Sequence, residues 1–413
     1  MKSINGTLIF GLVLIVLFSF ISCPDPNTRS RTGRYGDFVW VQYGNKITIT
    51  DYTGTGGAVT IPAQINGRPV TIIGDTAFSR KQLTSVIIPS TVTTIGTLAF
   101  ANNELTSVII PDSVTTMGMD VFIRNQLSEV TISNNITYIR WGTFRFNQLA
   151  SVTIPGSVRI IGTAAFRGNR LTSIYIPSSV TFIGNSAFAD NRLVYVNIPN
   201  SVTSIESGAF SGNQLAQVTI PNSITSIGFF AFAFNKLTNI TIPNSVSTIR
   251  TEAFSRNELT NVIIPSSVSL IEPGAFVFNF NLHEITVNHN NLHYISMGGV
   301  LFNIYKTRLI QFPSSREGSY IIPDGVTRIE HLAFAGSQLS SITISDCVRT
   351  IGLRAFVDNQ LTSITIGANV TLEIYHPFFP TFGSGFDEVY NEGGMLAGTY
   401  TRPDVNSTSW TKL

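Results

Sequence analysis

The chain is poor in the residues that most active sites are made from. Of its 413 residues only 12% are charged, with 26 Lys and Arg against 24 Asp and Glu, and just five are histidine. A catalytic cleft needs clustered acids, bases or metal ligands, and few such clusters exist. The densest is His283, His289 and His293 with Glu284 beside it, a spacing that matches no usual zinc pattern. No Ser-His-Asp order, P-loop or glycine-rich phosphate loop occurs in a credible context. The expectation is a protein that is no enzyme, with no cofactor, no metal and no nucleic-acid partner. Cysteine is scarcer still: Cys23 and Cys347 are the only two, so no disulfide framework exists. Cys347 stands in a turn column otherwise filled mostly by serine. Long apolar runs are also missing. Leu8 to Ile21, apolar apart from Gly11 and Ser19, is too short to span a bilayer comfortably, and with Lys2 ahead of it residues 1–22 read as a secretion signal.

What the chain has instead is a repeat. Phenylalanine recurs at Phe78, Phe100, Phe122, Phe144, Phe166, Phe188, Phe210, Phe232, Phe254 and Phe276, each step 22 residues, and two further copies end at Phe334 and Phe356. Leu83 to Glu104, LTSVIIPSTVTTIGTLAFANNE, is one unit. Its Val86 and Ile88 alternate with Ser85 and Ile87, the period of a strand with one buried face. Pro89, repeated at Pro111, Pro155, Pro177, Pro199, Pro221, Pro243 and Pro265, ends the strand at a corner where no ladder donor is needed. Ile95-Gly96 begins a second short segment that leads to the Ala99-Phe100 plug. An isolated unit has too few apolar side chains to fold alone, so neighbours must share core and strand hydrogen bonds. Asn103, Asn125, Asn147, Asn169, Asn191, Asn213, Asn235, Asn257 and Asn359 follow the phenylalanine by three positions, where an amide can bond the backbone of adjacent turns.

The pattern L-x-x-V-x-I-P-x-x-V-x-x-I-G-x-x-A-F-x-x-N resembles the BspA-like leucine-rich repeats of treponemes and other anaerobic bacteria, over about Asp37 to Gly367. Repeats of that family often carry Cys where this chain has Asn, and one more residue per unit. The fold expected is a repeat solenoid: a leucine-rich-repeat right-handed superhelix, mainly β with short helical turns and one parallel strand per 22-residue repeat, with a β-rich N-cap and an irregular C-cap. The segments are 1–22 signal peptide, 23–36 tether, 37–70 N-terminal β cap, 71–281 regular repeats, 282–322 irregular insertion, 323–367 further repeats and 368–413 C-terminal cap. In the cap, Val39-Trp40-Val41 and Ile47-Thr48-Ile49 alternate as strands joined at Gly44-Asn45. The insertion also resembles a recurrent element of the family and reads as a hairpin, Gly299 to Phe302 and Arg308 to Phe312.

Phe20-Ile21-Ser22-Cys23 resembles a relaxed spirochaetal lipobox, which implies cleavage before Cys23 and lipidation there. Several acyl chains would hold the protein at a membrane, in the outer membrane or at the cell surface, whereas an unused lipobox would leave it secreted. The resemblance further implies adhesion to host matrix proteins or other bacteria, through a protein or glycan ligand. A periplasm-facing scaffolding lipoprotein is the alternative.

Two surfaces are candidates for binding. The exposed strand columns are uncharged and Thr-rich, and Tyr175, Tyr195, Asn197 and Gln217 interrupt them. Thr ladders are ordinary sheet surface, but a broad face with two tyrosines also suits a partner. The loops after each phenylalanine hold nine basic residues, Arg80, Lys81, Arg124, Arg145, Arg167, Arg170, Arg192, Lys236 and Arg256, against four acidic ones. One register of a solenoid is one edge in space, so this is a basic rim, suited to a polyanion or simply to solubility. Phe146, Phe234 and Phe278 share the position of Arg80 and Arg124 in those loops.

Overall fold

The computed structural model describes residues 30–373, 381–382 and 385–413. The chain opens as an antiparallel meander of β1 (Arg31–Tyr35), β2 (Phe38–Tyr43) and β3 (Lys46–Tyr52). The turn between β2 and β3 is Gly44-Asn45. Residues 31–35, read from their polarity as part of a tether, are instead a strand. Gly36 takes a φ of 56° and reverses the chain at a two-residue turn, and Gly33 lies where a Cβ would strike the Trp40 ring. The signal segment and Cys23 lie outside the described residues.

Parallel stacking starts within the same region. β3 pairs in parallel with β6 (Arg68–Ile73), whose start also pairs with the short β5 (Gln64–Ile65). Ahead of them β4 (Gly57–Thr60) pairs in parallel with β7 (Leu83–Ile87), and β6 pairs with β8 (Thr94–Ile95). The coil from Leu83 therefore has two strands, not one. The first ladder runs through β4, β7 and β9 (Ser107–Ile109), and the second through β6, β8 and β10 (Thr116–Met117). Registers keep the sequence period: Thr94 faces Thr116, and Ser107 faces Glu129, each 22 residues on.

The stretch between the ladders is a run of tight turns, closed by bonds such as Ala99 N–H to Gly96 C=O (3.4 Å) and Ala101 N–H to Leu98 C=O (3.1 Å). It too is bonded from coil to coil, Phe78 N–H to Ala99 C=O at 2.8 Å and Phe100 N–H to Val121 C=O at 3.0 Å. Two residues per coil take positive φ, two before and two after the phenylalanine, among them Leu98, Asn102, Phe146, Phe230 and Phe234. Leu and Phe are seldom found there, at roughly 1–2 kcal/mol each; the bonds on either side fix the backbone regardless. Gly96 allows close approach of the preceding coil: a Cβ would come within 2.5 Å of Asp75 N.

Inside, Leu83, Val92, Ile95, Ala99 and Phe100 are fully buried, and their columns form one continuous core. The rings from Phe78 to Phe276 stack at 5.2 to 5.8 Å between centroids. Offset stacking adds about 0.5–1.5 kcal/mol per pair beyond burial. Beside them runs the asparagine ladder. Asn169 Nδ2 donates to Phe144 C=O (2.9 Å) in the coil before and to Phe166 C=O (3.0 Å) in its own, while its Oδ1 accepts from Leu149 N–H (3.1 Å). The same geometry recurs from Asn103 to Asn257 and extends to Asn279, which the sequence reading left out of the column. Serines add a third line: Ser157 Oγ donates to Ile136 C=O and Ser179 Oγ to Val158 C=O, both at 2.7 Å.

The stack breaks after Phe276 and resumes at Phe312, which lies 4.8 Å from Phe334, followed by Phe356 and Phe382 at 4.7 and 4.5 Å. Phe312 is a column residue, 22 positions before Phe334, that the sequence reading had placed in a bulging hairpin. The hairpin itself exists: strand Val300–Asn303 pairs antiparallel with Arg308–Gln311. It does not only bulge, because Arg308–Gln311 pairs onward in parallel with Arg328–Ile329 and rebuilds the second ladder. Val277 and Phe278 bridge the break by packing with Ala335. At the far end, Phe386 and Tyr390 of α1 (Phe386–Glu392), with Tyr400 and Trp410, bury themselves beside Phe382. Of the C-terminal cap expected over 368–413, residues 374–380 and 383–384, Phe378 and Phe379 of its aromatic-rich sequence among them, lie outside the described residues.

Two stability tests follow from these contacts. Asn169→Ala orphans the buried Leu149 N–H and leaves Phe144 and Phe166 C=O with one amide donor each, from Asn147 and Asn191, so urea unfolding should show a loss of about 1–3 kcal/mol. Glu373 accepts both Arg328 nitrogens (2.8 and 3.0 Å) and meets His331 Nε2 at 2.6 Å. Burial pushes its carboxyl up, but the hydrogen bonds and charges of Arg328 and His331 outweigh this and hold it below the ordinary glutamate value. A lowered folded-state pKa means stability present above the unfolded value and lost as pH falls through the folded one. Acid titration of Glu373→Gln should lack that component of the decline.

Candidate binding surfaces

The first ladder turns its unburied face outward, and the coil register decides which side chains meet there. Strand Ser173–Tyr175 pairs with Tyr195–Asn197 so that Ser173 faces Tyr195 and Tyr175 faces Asn197. The two tyrosines therefore sit on adjacent strands, two residues apart along the strand direction. Diagonal neighbours of this kind lie about 7–8 Å apart, within reach of one ligand. Tyr175 is 70% exposed and Tyr195 54%. Asn197 is half-buried and turns its amide toward Ile176 C=O at 3.5 Å; Gln217, exposed, continues the Tyr195 column in the next coil. Ile87, Ile109 and Ile263 are exposed on the same face. The four candidates thus form one patch, flanked mostly by Ser, Thr and Asn, with exposed Glu129 two coils before Ser173.

The rim is less uniform than its charge count. Its nine basic residues occupy four different positions after the phenylalanine. Two are already paired, Lys81 with Asp51 (2.9 Å) and Arg167 with Asp190 (2.8 Å). Arg124 and Arg145 lie over the Phe146 ring at 5.9 and 4.5 Å, and Arg256 lies over Phe234 and Phe278 at 5.3 and 4.5 Å. The loop phenylalanines thus hold arginines in place by cation–π contact. Arg80, Arg170, Arg192 and Lys236 are exposed without such a contact, and Arg170 and Arg192 hold the same position in consecutive coils.

The second ladder carries a surface that the sequence reading missed. Met119 and Trp141 are exposed in one column, and Phe182 is exposed in another that also holds Tyr138. Arg140 lies 5.2 Å over Tyr138. The signal was available: in 22-residue steps Met119, Trp141 and Phe229 share one column with Thr97, Thr163, Ser207 and Thr251, and Tyr138, Phe182 and Leu270 share another with Thr94, Thr116, Ser204 and Thr248.

The histidine stretch does not gather. Among the described residues no three His, Cys, Asp or Glu side chains come together as metal ligands. His283 Nδ1 is 2.8 Å from Ser315 Oγ, but that hydroxyl gives its proton to Leu282 C=O at 2.7 Å. The imidazole therefore donates to the serine and does not activate it. Cys347 is an exposed free thiol. Among the described residues no helix is long and apolar enough to cross a membrane.

Comparison with known proteins agrees with this architecture. The sequence profile of the BspA type Leucine rich repeat region matches residues 71–194, 182–298 and 311–379, in six copies. A leucine rich cell surface protein from Faecalibacterium prausnitzii A2-165 is 30% identical over 79% of this chain and 73% of its own, with a TM-score of 0.39. A leucine-rich repeat protein from Bacteroides ovatus is 21% identical, covering 80% and 90%, with a TM-score of 0.48. The T. pallidum Leucine Rich Repeat protein is 24% identical over 48% of this chain and 86% of its own, with a TM-score of 0.30. No curated protein matches the chain. With its repeat columns matched by that profile over most of its length, and with 30% identity to the Faecalibacterium prausnitzii protein, the chain belongs to the BspA-type leucine-rich repeat family.

Proposed function

We propose that the chain is a non-enzymatic binding protein of the cell envelope, which displays the first-ladder face to a protein or glycan partner in adhesion. The observation that carries this reading is the tyrosine pair. Tyr175 and Tyr195 are large, exposed and side by side on a rigid sheet whose other exposed positions are mostly small and uncharged. Tyrosine gives much contact area for little conformational entropy and is enriched among the residues that dominate interfaces. The description of the Faecalibacterium prausnitzii relative as a cell surface protein supports display at the envelope. Lipidation of Cys23 would supply the anchor, and the exposed rim cations would add attraction for a polyanion such as a sulfated glycan.

Surface proteolysis of intact cells tests the placement. Cleavage while a periplasmic control survives is the expected result; protection until the outer membrane is opened would overturn adhesion and favour the envelope scaffold. Acyl-chain labelling should mark the wild type and be absent from Cys23→Ala. Charge reversal at Arg80, Arg170, Arg192 and Lys236 should lower the salt at which the protein leaves heparin, and unchanged retention would remove the polyanion role.

A further inference from the structure

The break in the stack creates a cleft. After strand Leu270–Ile271 the second ladder has no regular next coil, and Tyr294 takes over: its hydroxyl accepts from Ile271 N–H at 2.8 Å and reaches Ser269 C=O at 3.4 Å. The side chains around this plug enclose about 440 Å³, within the range of roughly 300–1,000 Å³ typical of small-molecule sites. Leu270, Leu292 and Tyr305 give it apolar surface, and His293, Arg308 and Glu330 give it polar groups.

Two features mark it as built. The first is Tyr305, 81% exposed at the tip of a fixed turn. Asn303 Oδ1 accepts from Arg308 N–H (2.8 Å), Asn303 Nδ2 donates to Thr307 Oγ1 (3.0 Å), and Ile304 N–H donates to His293 C=O (2.8 Å). An aromatic ring held open to water on a rigid turn loses little entropy when a ligand covers it. The second is Glu330, only 5% exposed. Arg308 Nε (2.5 Å) and Arg328 Nε (3.1 Å) both donate to its Oε1. Among the described residues Oε2 takes no hydrogen bond, so the side of Glu330 that lines the cleft can still accept one from a ligand.

We propose that this cleft binds a neutral saccharide unit, stacked on Tyr305 and hydrogen-bonded by the Arg308–Glu330 pair. The charge balance selects the class. A ligand carboxylate would meet Glu330, and a ligand ammonium would meet Arg308, each an unfavourable approach. A sugar ring has an apolar C–H face for Tyr305, Leu270 and Leu292. Its neighbouring hydroxyls can donate to Glu330 Oε2 and accept from the Arg308 guanidinium. The cleft is distinct from the patch of Tyr175 and Tyr195, so the proposal stands or falls independently of that face.

Saturation-transfer NMR on the full chain, with the methyl glycosides of glucose, galactose, mannose and N-acetylglucosamine as probes, tests it. Transfer to the ring protons of at least one probe is expected, for affinities of about 1 mM. Tyr305→Ala, at a position too exposed to disturb folding, should abolish transfer; Tyr305→Phe should keep it. Glu330→Gln should weaken binding at least about tenfold, with a melting curve to show that the fold persists. Tyr175→Ala should leave transfer intact. No transfer from any probe, or transfer that survives Tyr305→Ala, would overturn the proposal.

Discussion

The structure rests on a constraint that no single coil can meet: every coil leaves backbone donors and acceptors that only its neighbours satisfy. The two ladders and the turn stretch between them pair most of them. The asparagine amide completes the set at the corner after the phenylalanine, and the serine hydroxyls do so at another. The amide reaches two carbonyls and one N–H that belong to two different coils. This explains why the period is so strict. A residue added between the phenylalanine and its asparagine would move the amide off these partners, whereas the extra residue after Asn279, ahead of Leu282, leaves all three of its bonds in place. It also explains where the order is lost. Lys81, Ser315 and Ser337 stand at the asparagine position after Phe78, Phe312 and Phe334, at the start of the stack and beside its interruption. Ser315 uses its hydroxyl for Leu282 C=O instead.

Much of this was legible in the sequence, because one-residue periodicities map directly onto columns. The phenylalanine spacing, the Val86 and Ile88 alternation and the asparagine position each pointed to what they do. Three things were not legible. The second strand is only two residues long, too short to show an alternation of its own. The β1 strand has a polar, Gly-bearing sequence and is held by pairing with β2 and by the Trp40 ring over Gly33, which are long-range facts. Phe312 obeyed the period but was masked by unusual neighbours. Of the candidate surfaces, the sequence supplied columns but not partners. It could show that Arg124 and Phe146 share a register; it could not show that one lies over the other, or that Lys81 is already paired with Asp51.

The division of labour within a coil explains how one scaffold carries such different surfaces. Buried columns are restricted to a few residue types by packing at full density. The residues at positive φ are restricted only by the backbone, which neighbouring coils fix. Arg, Asn, Phe, Gly and Asp all occupy the position two residues after the phenylalanine. Rim chemistry can therefore vary from coil to coil without repacking the core. The strand face has similar freedom, and the tyrosine patch and the exposed isoleucines use it.

The near-identity of the coils also has a kinetic side. A chain slipped by one whole coil would keep almost every buried column, every ring stack and nearly every amide bond. Such shifted pairings are close in energy to the native one and would act as traps. What makes them unfavourable is the segments that occur once. Trp40 and the β1–β3 meander fit only the first coil, and the hairpin from Val300 to Gln311 with its Tyr294 plug fits only one gap. A slip across either leaves a coil facing nothing. The irregular segments thus number the coils, so that a monotonous chain has a single in-register fold.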